Sequence, residues 1–154
     1  MPQFDDIDRV LLDLLQRDAD RPLHEIGDLV GLSPSAVQRR IARHRASGVI
    51  AGQVAVLDPA AIPGTTLALV MVTLERESRD HHADFAARLA RVPEVQQCYA
   101  VAGEWDYAVM LVARDLAHCH ELGNLLFKDA PNVKRYVTLP VFNAVKTGAY
   151  IPLP

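Results

Sequence analysis

Gly31-Leu32-Ser33-Pro34-Ser35-Ala36-Val37-Gln38-Arg39-Arg40-Ile41-Ala42-Arg43-His44-Arg45 is the stretch that decides how this 154-residue chain begins to fold. Gly31 provides the left-handed end of one helix, Ser33 the side-chain cap of the next, and Pro34 its first residue. Upstream, Leu23, Ile26, Leu29 and Val30 repeat at three- and four-residue intervals and predict a short helix ending at Gly31. Further upstream, Ile7, Val10, Leu11, Leu14 and Leu15 predict a helix over residues 5–18, capped by Asp5 or Asp6. Downstream, the third helix runs to about Ser47 and stops at Gly48. Helix, short helix, glycine turn and basic helix form the pattern of a helix-turn-helix.

The charge distribution points the same way. The chain carries a formal net charge of -3, yet no acidic residue lies between Asp28 and Asp58, where Arg39, Arg40, Arg43 and Arg45 all occur. One basic segment inside an acidic protein is the electrostatic footprint of a nucleic-acid contact. At 100° per residue Val37 and Ile41 face inward, while Ser35, Gln38, Arg39, Ala42 and Arg43 project from the other side. Arginine bonds two guanine acceptors and glutamine bonds adenine, while serine hydroxyls and further arginines reach phosphates. The candidate DNA-binding residues are therefore Ser33, Ser35, Gln38, Arg39, Arg40 and Arg43. A run of arginines is otherwise a solvated face, but the turn chemistry, the preceding helix pair and the acid-free window agree on double-stranded DNA. The two recognition helices of a dimer would require a pseudo-palindromic site.

From Val49 to Leu57 the apolar period approaches two and predicts a linking strand, followed by a boundary at residues 58–64 where Asp58-Pro59 and Pro63-Gly64 interrupt it. Strands are then expected at 65–74, 95–101, 107–113 and 133–139, and helices at 80–90 and 115–128. That βαββαβ order is ferredoxin-like, and the fold class is α+β. Leu67 to Leu74 and Tyr107 to Ala113 are apolar at nearly every position, although two helices cover only one face of such a sheet. A second copy of the same sheet is the simplest cover, which predicts a homodimer or a larger assembly.

Other classes are excluded or disfavoured. Half of the residues are hydrophobic and 23% charged, which supports a folded core and rules out wholesale disorder. No apolar run approaches the ~18 residues of a membrane span, and the acidic N-terminus lacks a secretory signal, so a cytoplasmic location is expected. Cys98 and Cys119 are too few for a disulfide framework and have no CxxC spacing. His118, Cys119 and His120 diverge on a helix and His81-His82 sit at a helix start, so no metal site is expected, and neither cofactor nor catalytic residues are assigned.

Gly31-Leu32-Ser33-Pro34-Ser35, the arginine-rich helix, Gly48-Val49-Ile50, Leu57-Asp58-Pro59, Gln97-Cys98-Tyr99-Ala100-Val101-Ala102-Gly103-Glu104-Trp105-Asp106-Tyr107 and Val145-Lys146-Thr147 together resemble the Lrp/AsnC, or feast/famine, transcription regulators. The resemblance implies a winged-type helix-turn-helix over 1–48, a linking strand and hinge over 49–64, and an effector-sensing, oligomerising RAM/AsnC-type domain over 65–154. It implies a sequence-specific regulator whose DNA binding or assembly responds to a small amino-acid-type effector, with dimers joining into tetramers or octamers. By resemblance, the Gly-x-x-Asp loop at 103–106 borders the effector pocket. Asp106 or Glu104 would accept from an ammonium, the backbone around Ala102 and Gly103 would hold a carboxylate, and Thr138 would supply a hydroxyl. Where the family usually places Leu, this chain has His44, read as a satisfied, partly buried histidine. Rival readings are a siroheme-decarboxylase-like enzyme on the same fold and a ligand sensor without DNA binding. The first lacks the expected His and Arg across Tyr99-Ala100-Val101-Ala102-Gly103, and the intact Arg39/Arg43 face opposes the second.

Overall fold

The computed structural model describes residues 4–76 and 78–153, which form two compact units: residues 4–56 with 146–153, and residues 57–145. In the first, α1 (Asp6–Arg17), α2 (Leu23–Val30) and α3 (Pro34–Ala46) follow the expected order. Asp5 caps α1 by accepting from the Asp8 N–H at 2.7 Å, while the Asp8 carboxylate accepts from the Asp5 N–H, a reciprocal capping box. Helix α2 ends at Gly31 with φ 68°, a conformation that costs glycine little. Ser33 then caps α3 through the Ala36 N–H, with Pro34 at the first position. Leu11, Ile26, Val37 and Ile41 close the core of the three helices. A Cβ on Gly27 would sit 2.4 Å from the Leu32 carbonyl oxygen, so the α2–α3 turn is built on the absence of a side chain there.

Residues 146–153, which the sequence places with the sheet domain, pack with this helical unit. The cause is a set of polar contacts to α1. The Tyr150 hydroxyl donates to Asp13 Oδ1 at 2.5 Å, Asp13 also receives Arg17 at 2.9 Å, and Gln16 exchanges hydrogen bonds with the Ile151 backbone at 2.7 and 3.1 Å. The linking strand also differs from expectation. Residues 51–58 belong to no sheet, and Val54 and Val56 are largely exposed. An alternating pattern makes an extended segment, but a strand needs a partner for its N–H and C=O groups, and no described segment of the chain provides one.

The second unit contains β1 (Thr66–Leu74), α4 (Arg79–Leu89), β2 (Val95–Ala100), β3 (Tyr107–Ala113), α5 (Leu116–Gly123) and β4 (Val133–Pro140). The sheet is antiparallel throughout, in the order β2-β3-β1-β4, with Val70 opposite both Val109 and Thr138. This is the ferredoxin-like arrangement. Helix α5 widens after Gly123 into a π-helical turn, Asn124–Lys128, which buries Leu126 and Phe127. Val70, Val72, Val109, Leu111, Phe85 and Leu89 make the core between the helices and one sheet face. The opposite face carries Leu69, Met71, Met110, Val137 and Leu139, and nothing in the described unit covers it. No helix is long and apolar enough to cross a membrane among the described residues.

Candidate functional site

Helix α3 is locally specified by its cap and anchored by Val37, Ile41 and His44, all buried on one side. That anchorage leaves Ser33, Ser35, Gln38, Arg39 and Arg43 exposed. Ser33 Oγ is shared between its cap bond and Ser35 Oγ at 3.1 Å. Arg39 has no hydrogen-bond or ion-pair partner among the described residues. Arg40 is different, because its guanidinium turns back toward α1, with Nη1 2.7 Å from Asp5 Oδ2 and 2.7 Å from Asp8 Oδ1. Arg43 remains half-exposed, with Nη2 at 2.7 and 2.8 Å from the two Asp8 oxygens.

Asp8 is the centre of this cluster, only 2% exposed, with His44 Nε2 a further 3.0 Å from its Oδ1. Burial by itself would raise the Asp8 carboxyl. Hydrogen bonds from His44, then Arg40 and the Asp5 N–H, with the charge of Arg43, outweigh it and lower the pKa from 3.8 to about 2. His44 is thus the buried, hydrogen-bonded histidine expected, filling an apolar position of α3 while serving a carboxylate.

In the sheet unit the 103–106 loop joins β2 to β3 through Gly103 at φ 147°. Asp106 is consumed locally, its Oδ2 accepting the Leu74 N–H at 2.7 Å beside the bulge between Thr73 and Leu74. Glu104 accepts from Arg135 Nη2 at 2.6 Å, and the same guanidinium lies 4.3 Å from the Trp105 ring centroid. Arg135 thereby organises the loop by an ion pair and a cation–π contact. Thr138 stands elsewhere, on the helix-covered face of β4. There it lines a cleft of about 250 Å³ with Leu116, Cys119, His120, Gly123 and Tyr136. Within one chain the structure therefore brings Gly103, Glu104 and Asp106 together in one loop, but not Thr138.

The weaker histidine candidates point apart. His118 Nδ1 accepts from the Arg114 N–H at 3.2 Å, and His120 Nε2 lies 3.1 Å from Asn124 Nδ2. His82 does not stay in a solvated turn, since its Nδ1 lies 2.9 Å from the buried Tyr107 hydroxyl. His81 pairs with its cap Ser78.

The family model for the AsnC-type helix-turn-helix domain matches residues 4–43, and that for the Lrp/AsnC ligand binding domain matches residues 67–151. The chain belongs to the Lrp/AsnC family. It is 32% identical to an uncharacterized HTH-type transcriptional regulator of Sinorhizobium fredii, over 98% of this chain and 89% of that protein. It is 34% identical to the leucine-responsive regulatory protein of Salmonella typhimurium, over 93% and 87% of the two chains. Among solved structures, a Neisseria meningitidis transcriptional regulator in complex with L-Met superposes with a TM-score of 0.88 at 26% identity, covering 97% of each chain. Placed in the Lrp/AsnC family, the α3 face belongs to its DNA-binding domain and the 103–106 loop to its ligand-binding domain.

Two residues at these sites escaped the sequence reading. Neither was among the candidate site residues: Asp8 lies in the first turn of α1 and Arg135 on β4. A signal for Asp8 existed: a lone carboxylate on an otherwise apolar helix face, in a chain whose third helix carries an excess of arginine. Nothing local marked Arg135.

Proposed function

We infer that this Lrp/AsnC-family transcription regulator is homo-oligomeric, binds a pseudo-palindromic DNA duplex, and responds to a small amino acid without catalysing a reaction. The observation that carries the reading is the exposed stripe Ser35, Gln38, Arg39 and Arg43 on a helix whose other side is locked into a closed core. Gln38 and Arg39 are base-reading types, and Arg43 extends the stripe with its unbonded guanidinium nitrogens. Ser33 and Ser35 suit phosphate contacts at the helix start. Arg40, tied to two carboxylates, contributes to the scaffold of the face more than to its contact surface.

The effector assignment rests on family membership, on the relative solved with L-Met, and on a loop whose shape is held from outside. Asp106 fixes the loop to β1 and Arg135 fixes Glu104, so the backbone of Ala102 and Gly103 is presented in one conformation. An amino acid's carboxylate suits those N–H groups and its ammonium suits Glu104. Thr138 would join such a site only from another subunit. Oligomerisation is supported by the apolar open sheet face, which in water is an exposed liability unless a second copy covers it.

Selection of bound sequences from a random duplex pool, with and without the twenty amino acids, tests the reading. A palindromic motif whose recovery changes with the amino acids is expected. Arg39→Ala should lose DNA and keep amino-acid binding, and Asp106→Ala the reverse. No enriched sequence under any condition would overturn it.

A further inference from the structure

The basic residues of α3 are unequal, and the inequality comes from α1. Arg39 is exposed and unpartnered among the described residues. Arg40 is 22% exposed and bonds two carboxylates through Nη1, whereas Arg43 is 57% exposed and bonds one through Nη2. Two carboxylates face two guanidinium groups, so the cluster is close to neutral at its own position. A buried carboxylate with this much compensation is a fixed counter-charge, and the cation it neutralises attracts distant phosphate far less than a free one. Positive charge on a DNA-reading face has a cost, because it strengthens binding to every sequence equally. A regulator must find its site among a vast excess of others.

We propose that Asp8, supported by Asp5, sets the sequence discrimination of α3: it neutralises Arg40 and holds Arg43 by one guanidinium nitrogen, so that sequence-independent phosphate attraction is held down while Arg39 and the free edge of Arg43 remain on the reading face. Asp8 is then a positioning residue, acting on DNA through two arginines it holds. The geometry that supports this is one-sided. Arg40, Arg43 and His44 sit three and four residues apart on α3, on the flank that meets α1, and all three converge on Asp8 Oδ1 within 3.0 Å. A carboxylate needed only to fill or cap would be satisfied by its own helix, as Asp5 N–H already does for Oδ2.

The inference rests on the DNA-binding reading above, and its test separates the two. Full-length protein, with Asp5→Asn and Asp8→Asn, is titrated by fluorescence anisotropy against the duplex selected by the wild type and against a random duplex of equal length, across about 50 to 200 mM salt. Asparagine retains the N-cap of α1, so Asp5→Asn removes one of the two carboxylates facing Arg40 and leaves the cluster one positive charge in excess, with Arg40 still on the buried Asp8. On the random duplex the log–log salt slope should steepen by up to about 0.9 for each positive charge left in excess per subunit, which is about 3.5-fold in affinity over that fourfold range. The ratio of selected to random affinity should fall several-fold in both variants. Adding Arg40→Gln to Asp5→Asn should restore the wild-type slope. A merely structural Asp8 would lower the melting temperature and leave the slope unmoved. Unchanged slope and ratio in Asp5→Asn, or equal weakening on both duplexes, overturns the proposal, and Asp5→Asn suffices if Asp8→Asn does not fold. Wild type that binds neither duplex at the lowest salt overturns the DNA-binding reading itself, and this inference with it.

Discussion

Acid should dismantle the helical unit through Asp8, and the structure supplies the amount. The carboxyl is held at about 2 in the folded protein against 3.8 for a free aspartate. A depressed folded-state value stabilises the fold above the unfolded value and loses that contribution as pH falls through the folded one. The difference of nearly two pKa units is worth about 2 kcal/mol, fully present at pH 6 and about two-thirds lost by pH 2.5. Because Asp8 is almost completely buried, little of this is screened by solvent. Urea unfolding followed on the methyl resonances of Leu11 and Val37 reports this unit alone, since both lie in its core. Asp8→Asn should start less stable at pH 6, and its deficit should shrink by roughly 1.5 kcal/mol between pH 5 and pH 2.5. Asp5 and Asp13 are also shifted down, Asp5 chiefly by its hydrogen bond from Arg40 and Asp13 by that from Arg17, and they titrate in both proteins. The difference between the two proteins therefore reports Asp8 together with its effect on Asp5, which shares Arg40 with it. A deficit that stays constant from pH 5 to pH 2.5 would refute the reasoning, because it would mean that the native carboxyl is not stabilised in its charged form.

Other substitutions probe other parts of the molecule. Gly27→Ala places a methyl 2.4 Å from the Leu32 carbonyl oxygen, a backbone atom that cannot swing away, and should destabilise the helical unit by about 1–3 kcal/mol in the same urea assay. Phe127→Ala empties a site with no solvent exposure in the sheet unit and should cost about 3–5 kcal/mol there, read from Val70 and Leu111 methyls, with Val37 unaffected. Leu69→Glu sets a charge in the middle of the open sheet face, and light scattering should show a smaller particle than the wild type. An unchanged mass would mean that this face is not the subunit contact.

What the sequence made legible was the orientation of each element, and what it concealed was the identity of distant partners. The caps of α1 and α3, the Gly31 stop and the outward face of α3 depend on neighbours within four residues, so composition and a 100° rotation suffice to place Gln38, Arg39 and Arg43 in solvent. The order of the sheet strands followed from element order, since a βαββαβ chain with short connections has few ways to close. The candidate sites were less accessible, because their decisive bonds cross 31 to 36 residues: Asp8 to Arg40, Arg43 and His44, Asp106 to Leu74, and Arg135 to Glu104. Residue type alone makes Arg40 and Arg39 equivalent, and only the packing that brings the start of α1 beside Arg40 gives one of them carboxylates. The segment 49–57 shows the same limit from the other side. Its alternation predicts a strand, but hydrogen bonding is a property of pairs, alternation carries no information about the partner, and residues 51–58 join no sheet. For a regulator this division has a consequence. The residues that touch DNA are legible from a helix face, whereas the residues that decide how much charge that face presents lie on another helix. Substitutions at Asp5 and Asp8 should therefore alter recognition although neither position belongs to the third helix.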